Sequence, residues 1–386
     1  MKTLPYLWQQ PGWPKLSYDG EQTKAALSPA RRALASLEAR LSAIGLRERQ
    51  RLAVESWSQD AVATAAIEGE RLNLEAVRSS VCRRLGAEGA TLGHGPRNVE
   101  GLLDLMEDAV GNAGEAITDA RLQSWQQALF PTGFSGLKPV LVNAYRVNRE
   151  PMQIVSGPIG HEKVHYEAPP SAAVSAEMKR FLKWFNQEKE PDALVRAAMA
   201  HLWFETIHPF EDGNGRVGRA VVDLTLTRDL GEASRTIRIS RQLWDNRDAY
   251  YDRLNRAQHA GLDVTPWVVW FISQVRAACE KAMGVVDLSL AKARFWATHS
   301  DKDLNARQRK IVNTLLDAGP GGFEGGMSTR KYEASTSTSR ATASRELIDL
   351  AALGLIVSVG AGRSTRYYID LEGWTPAAAS AGGRGN

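Results

Sequence analysis

Cysteine is scarce. The 386-residue chain holds two, Cys82 and Cys279. They lie far apart and show no short metal-ligand spacing. That excludes a disulfide framework or a thiolate zinc module, and fits a reducing compartment. Long apolar runs are missing too. No stretch reaches the roughly eighteen uninterrupted apolar residues that a membrane helix needs. The opening Met1-Lys-Thr-Leu-Pro-Tyr-Leu-Trp-Gln-Gln10 has no apolar core of a secretory signal. These absences predict a cytoplasmic protein with no membrane partner. Charge of one sign is also lacking: 48 Lys and Arg stand against 44 Asp and Glu, a net of +4. That excess is too small to argue by itself for nucleic acid. The rest, 43% hydrophobic and 24% charged, is an ordinary globular balance, and the length predicts two or three domains.

What is present is concentrated in one stretch, His208-Pro-Phe-Glu-Asp-Gly-Asn-Gly-Arg-Val-Gly-Arg219. Residues 191–207 before it read as a helix: Pro191 suits a first turn, and Leu194, Ala198, Leu202 and Ile207 mark its apolar face. Pro209 disfavours helix at His208. A second helix is expected from about Asn214, where Val217, Val221 and Leu224 resume an apolar face. A turn alone needs none of His208, Asp212, Arg216 or Arg219. A polyphosphate site needs them all. A helix N-terminus attracts an anion, and glycines let backbone N–H groups approach it. Arg216 and Arg219, one turn apart, can fork onto outer phosphates. Asp212 is a hard ligand suited to Mg²⁺, and His208 is a base for near-neutral pH.

The string matches HPFx(D/E)GN(G/K)R at every defined position, and Val217-Gly-Arg219 extends the match. The chain therefore resembles the Fic family. The resemblance implies a mainly α fold: a Fic-type helical core with a small β-hairpin flap. It implies ATP as substrate with Mg²⁺, and transfer of AMP to a Ser, Thr or Tyr hydroxyl of a target protein or of the chain itself. In that reading His208 takes the hydroxyl proton and Asp212 holds the metal. Gly213, Asn214 and Gly215 cradle the inner phosphates. Arg216, Val217, Gly218 and Arg219 complete the ATP-binding stretch. Further along, a predicted helix over residues 244–259 carries Tyr250, Tyr251 and Asn255. An aromatic pair there suits a core equally well, but the resemblance places a Tyr and an Asn of this region near the adenosine.

Thr64-Ala-Ala-Ile-Glu68-Gly69 closes a helix expected over residues 48–67. Taken alone, Glu68 reads as a glutamate near a helix end, with Gly69 as its cap. Beside a Fic motif it resembles the family's inhibitory pattern (S/T)xxxE(G/N), in which the glutamate pairs with the second motif arginine, here Arg219. Self-inhibition follows, because Arg219 cannot fully serve carboxylate and phosphate together.

Around these features the expected organisation is an N-terminal helical domain (1–112), a catalytic core (113–285), a C-terminal module (301–372) and a disordered tail (376–386). Residues 1–25, with Trp8 and Trp13, read as an aromatic-rich extended arm packing back on the body. Ser28-Pro29-Ala30 reads as the start of the first helix, which Gly45 stops. Residues 152–168 alternate as a hairpin around Gly157-Pro-Ile-Gly160. In the family this flap aligns the target segment by strand addition. Residues 301–372 resemble a winged helix-turn-helix, with Arg340, Arg345 and Arg363 able to reach DNA. Residues 301–370 hold ten Lys and Arg against eight Asp and Glu. DNA binding and protein docking or dimerisation both stay open for it. Two rival functions stay open as well: AMP removal, with Glu68 positioning water, and a DNA-binding regulator whose core senses nucleotide.

Overall fold

The first unit is built around one buried helix. In the computed structural model, which describes residues 6–91, 93–156, 161, 163–187 and 192–374, residues 194–207 are buried without interruption. A helix buried on every side lies inside its domain, although this one also carries Arg196, His201 and Glu205. Around it the chain runs α1 (Gly20–Ser42), α2 (Leu46–Ile67), α3 (Leu74–Arg84), α4 (Arg97–Gly111) and α5 (Asp119–Leu129). A minimal hairpin, β1 (Phe134–Ser135) with β2 (Lys138–Pro139), precedes the flap pair β3 (Gln153–Ser156) and β4 (Lys163–Glu167). Then come α6 (Ser171–Gln187), the buried α7 (Ala193–Ile207), α8 (Asn214–Leu230), α9 (Ile239–Asp245), α10 (Arg247–Gln258) and α11 (Thr265–Thr298). The fold is mainly α, as expected.

The chain divides into two compact units, Met1–Val286 and Asp287–Asn386, and the division falls within α11. The N-terminal helices therefore belong to the same unit as α7 and α8. One close crossing fixes their arrangement: a Cβ on Gly101 of α4 would collide with the Ala128 carbonyl of α5. Only glycine allows that approach.

Several local expectations need correction. The first helix begins at Gly20, not at Ser28. Asp19 caps it by accepting from the Gln22 N–H at 2.9 Å, and Pro29 lies inside it. The extended arm is accordingly shorter, and its tryptophans are anchored. Trp8 donates to the Glu167 carbonyl at 2.8 Å, and Trp13 to the Glu177 carboxylate at 2.9 Å. The helix expected over residues 244–259 is broken at Asn246, whose side chain donates to the Gln242 carbonyl and separates α9 from α10. The Gly157–Gly160 turn, Pro191 and the 376–386 tail lie outside the described residues.

The second unit contains α12 (Ala306–Asp317), α13 (Thr329–Thr336), α14 (Arg340–Ala352), and the antiparallel pair β5 (Ile356–Val359) and β6 (Arg366–Ile369). Ile311, Val312, Leu315, Leu347, Leu350 and Ile356 form its core. Buried Glu346 ties the three helices together. It accepts from Tyr332 at 2.6 Å, Asn305 at 2.9 Å and Arg307 at 2.5 Å. Paired this way, a buried carboxylate keeps its charge without the large desolvation penalty of an isolated one.

Candidate nucleotide site

His208 ends α7 in the left-handed region, φ +50°, with its N–H bonded to the Phe204 carbonyl at 2.9 Å. A non-glycine residue there is strained by about 1 kcal/mol or more. Arg146 holds it: its Nε donates to the His208 carbonyl at 2.8 Å, and its backbone N–H to the Pro209 carbonyl at 2.9 Å. The loop beyond is closed by Asn214. Its Oδ1 accepts from the Phe210 N–H at 2.8 Å while its Nδ2 donates to the Phe210 carbonyl at 2.9 Å. Asn214 is therefore buried, building the turn with its side chain. Gly213, at φ +88°, supplies the left-handed entry to α8, and a Cβ there would crowd Phe130 and Leu129. Gly215 and Gly218 lie on one face of α8. A Cβ on Gly215 would collide with the Glu68 carboxylate, and one on Gly218 with that of Glu205.

The two arginines are both engaged. Arg219, 1% exposed, donates from Nε to Thr64 Oγ1 at 2.7 Å, and from Nη2 to the Thr64 carbonyl and Glu68 Oε1 at 2.9 and 2.8 Å. Gly69, at φ +81°, turns the chain after Glu68, and the Glu70 N–H returns to the Ala65 carbonyl at 3.0 Å. Arg216 reaches Glu70 at 3.0 Å, lies 3.7 Å from Asp212, and stacks on the Phe130 ring with its guanidinium 5.0 Å from the centroid.

His208 is pushed down to about 4, first by burial and then by the Arg146 charge, with Glu68 and hydrogen bonding to the Glu205 backbone opposing. At neutral pH it is an uncharged imidazole with room for a proton. Glu205 moves the other way, to about 8, through burial and the Glu68 charge. Its carboxyl sits 3.7 Å from His208 Nδ1. Asp212 accepts from the Gly213 N–H at 2.6 Å through one oxygen; the other makes no hydrogen bond among the described residues. A single free carboxylate oxygen fits Mg²⁺, which takes one or two carboxylates and the substrate phosphates rather than a full protein cage. No cluster of three His, Cys, Asp or Glu suited to a metal occurs among the described residues.

Tyr250 is buried and spends its hydroxyl on His201 at 2.8 Å, so it serves the core beneath the site. Tyr251 is on the outer side, 37% exposed, with its hydroxyl on the Ile67 carbonyl at 3.1 Å, beside the end of α2. Asn255 is half-buried, and its Oδ1 has no hydrogen-bond partner among the described residues. Sequence reasoning missed Arg146, Glu205 and Glu70. Glu205, three residues before His208, and Glu70, two after Glu68, carry a spacing signal; Arg146 carries none. A separate cavity of about 150 Å³ behind α8, lined by Asp60, Asp223 and Trp57 among others, does not reach these groups.

Residues 116–226 match the Fic/DOC family, and residues 6–87 match a domain of unknown function, DUF4172. The chain therefore carries a Fic domain. A probable protein adenylyltransferase of Aquifex aeolicus is 32% identical over 101 residues, 26% of this chain and 28% of that protein. Protein adenylyltransferase Fic of Drosophila willistoni is 25% identical over 304 residues, 78% of this chain and 52% of its own. The chain thus spans about a quarter to half of the length of these relatives. The crystal structure of a Fic family protein from Desulfovibrio desulfuricans G20 superposes with a TM-score of 0.49 at 22% identity, covering 87% of this chain and 95% of its own. Among the described residues, no helix is long and apolar enough to cross a membrane.

Proposed function

We propose that the chain is a self-inhibited protein adenylyltransferase. The observation that carries this reading is the placement of an uncharged His208 beside a glycine-built helix N-terminus bearing Arg216 and Arg219, with Glu68 bonded to Arg219. ATP would lie with its phosphates on the first turn of α8. A target Ser, Thr or Tyr oxygen attacks the α-phosphorus. Its bond to phosphorus forms as the bond to the β-phosphate bridge breaks, pyrophosphate leaves, and His208 takes the hydroxyl proton. Asp212 would hold Mg²⁺, which neutralises phosphate charge when bound. The Glu68–Arg219 pair supports self-inhibition, since the second motif arginine is occupied. On the flap, Val155 and Val164 face each other across the strands and are 46% and 43% exposed, which suits docking of a target segment. His208→Ala should lower transfer of AMP from radiolabelled ATP by about 10²–10⁴-fold with ATP still bound; near-normal transfer would remove His208 from the role.

For Asp287–Asn386 we propose DNA as partner. Three helices and a hairpin follow one another, and Arg340 and Arg345 are exposed on α14. The side chain of Arg363 lies outside the described residues.

A further inference from the structure

The turn that ends α2 presents a second carboxylate to the motif. Glu68 and Glu70 flank Gly69, and the left-handed turn at Gly69 lets both face α8. Arg216 donates from Nη1 to Glu70 Oε2 at 3.0 Å. The other Glu70 oxygen accepts from Asn98 Nδ2, on α4, at 2.8 Å. Glu70 is thus fixed at both oxygens, in the pose that occupies Arg216.

Arg216 itself is only 8% exposed, and its Nε is buried without a hydrogen-bond partner among the described residues. A purely structural arginine would have its donors used, because a buried N–H left unpaired is costly. The guanidinium here is hydrogen-bonded to one carboxylate, lies 3.7 Å from a second, Asp212, and stacks on one ring face, with Nε to spare. That arrangement suits a group that exchanges one anion for another.

We infer that Glu70 is a second brake, acting on Arg216 as Glu68 acts on Arg219. The inference rests on the phosphate-binding role proposed above for Arg216. The two brakes differ in what they would control. Glu68 reaches Arg219 from the last turn of α2, with Thr64 as a second tie. Glu70 reaches Arg216 from outside that helix and depends on α4 through Asn98. A perturbation of the α4 start could therefore loosen Arg216 while Arg219 stays held.

Binding, rather than transfer, separates this proposal from the identity of the reaction. ATP titration calorimetry on the full chain would compare Glu68→Gly with Glu68→Gly carrying Glu70→Gln. With Glu68 gone from Arg219, Glu70 is the remaining carboxylate hydrogen-bonded to a motif arginine. Its side chain is one-third exposed, so the competition is screened. Loss of that competition should tighten ATP about 3- to 5-fold. The gain should vanish when Arg216→Ala is added to both proteins. Asn98→Ala in the Glu68→Gly background should give a smaller gain in the same direction. Affinity within twofold, in variants whose Tm is unchanged, would overturn the proposal. So would a gain that persists without Arg216, since it would then come from general charge. A chain that binds ATP as expected but transfers no AMP would refute the proposed reaction and leave the Glu70 brake standing.

Discussion

Glu205 shows how one buried group shapes the site at the scale of a residue. The residue is 6% exposed, with its Oε1 lacking any hydrogen bond among the described residues, close against Gly218 and near His208. Burial and the Glu68 charge raise it to about 8, against an ordinary value of 4.5. Between these two values the folded chain keeps a proton that the unfolded chain has lost. Its contribution to stability is therefore full below pH 4.5 and is lost as pH rises toward 8. Glu205→Gln keeps the shape and removes the titration. The melting temperature of Glu205→Gln relative to the parent should rise between pH 5 and pH 8, by the equivalent of about 3 kcal/mol. Equal differences at the two pH values would show that Glu205 is ionised in the fold. A neutral Glu205 also matters to the site, because a charged carboxylate there would repel phosphates on α8.

At the scale of elements, the site is a meeting of two helix ends. The C-terminus of α2 is aimed at the N-terminus of α8, so that Glu68 can occupy the arginine expected to hold a phosphate. A charged hydrogen-bonded pair contributes roughly 1.5–3 kcal/mol, so its removal should raise the productive ATP pose about 10- to 150-fold. Glu68→Gly should raise AMP transfer, including self-modification, by that factor. The same change with Arg219→Ala should not, because the phosphate ligand goes with the lock. A Glu68→Gly enzyme slower than its parent would point instead to AMP removal with Glu68 positioning water. The Glu68–Arg219 pair was legible in sequence because Thr64, Glu68 and Gly69 stand at fixed helical spacing, and His208–Arg219 is an unbroken run of chemistry-bearing residues. Arg146 was not legible. It lies 62 positions from the His208 carbonyl it holds, in a loop whose sequence gives no sign of that approach. The start of α1 was misread because Ser28 and Pro29 imitate a helix start, while the working cap, Asp19, has no such local pattern around it. Tyr250 and Tyr251 are neighbours in sequence, yet one faces the core and the other the end of α2.

At the scale of the molecule, the two units carry different kinds of evidence for partners. The first holds a site with defined donors and acceptors. The second holds a fold whose exposed face must be judged by chemistry. On α14, Arg340 and Arg345 are exposed together with Ile348, while Asp349 shares the exposed surface. Basic groups suit phosphates, and an exposed apolar side chain can meet a thymine methyl, but the acidic neighbour limits non-specific attraction. The unit is also only weakly basic: residues 301–370 carry ten basic and eight acidic side chains. If DNA is the partner, few phosphates are neutralised, so the salt dependence should be shallow for a DNA-binding protein. Two or three phosphate contacts predict a slope of log K on log salt of about −2 to −3. Mobility-shift titrations of the full chain with its own promoter region, at several salt concentrations, would read that slope. Arg345→Ala should weaken binding and, if Arg345 touches a phosphate, flatten the slope by about one. If Arg345 reads a base edge instead, the slope should hold and the sequence preference relax. No shift at low salt would exclude this DNA as partner and leave the same exposed face of α14 to a protein.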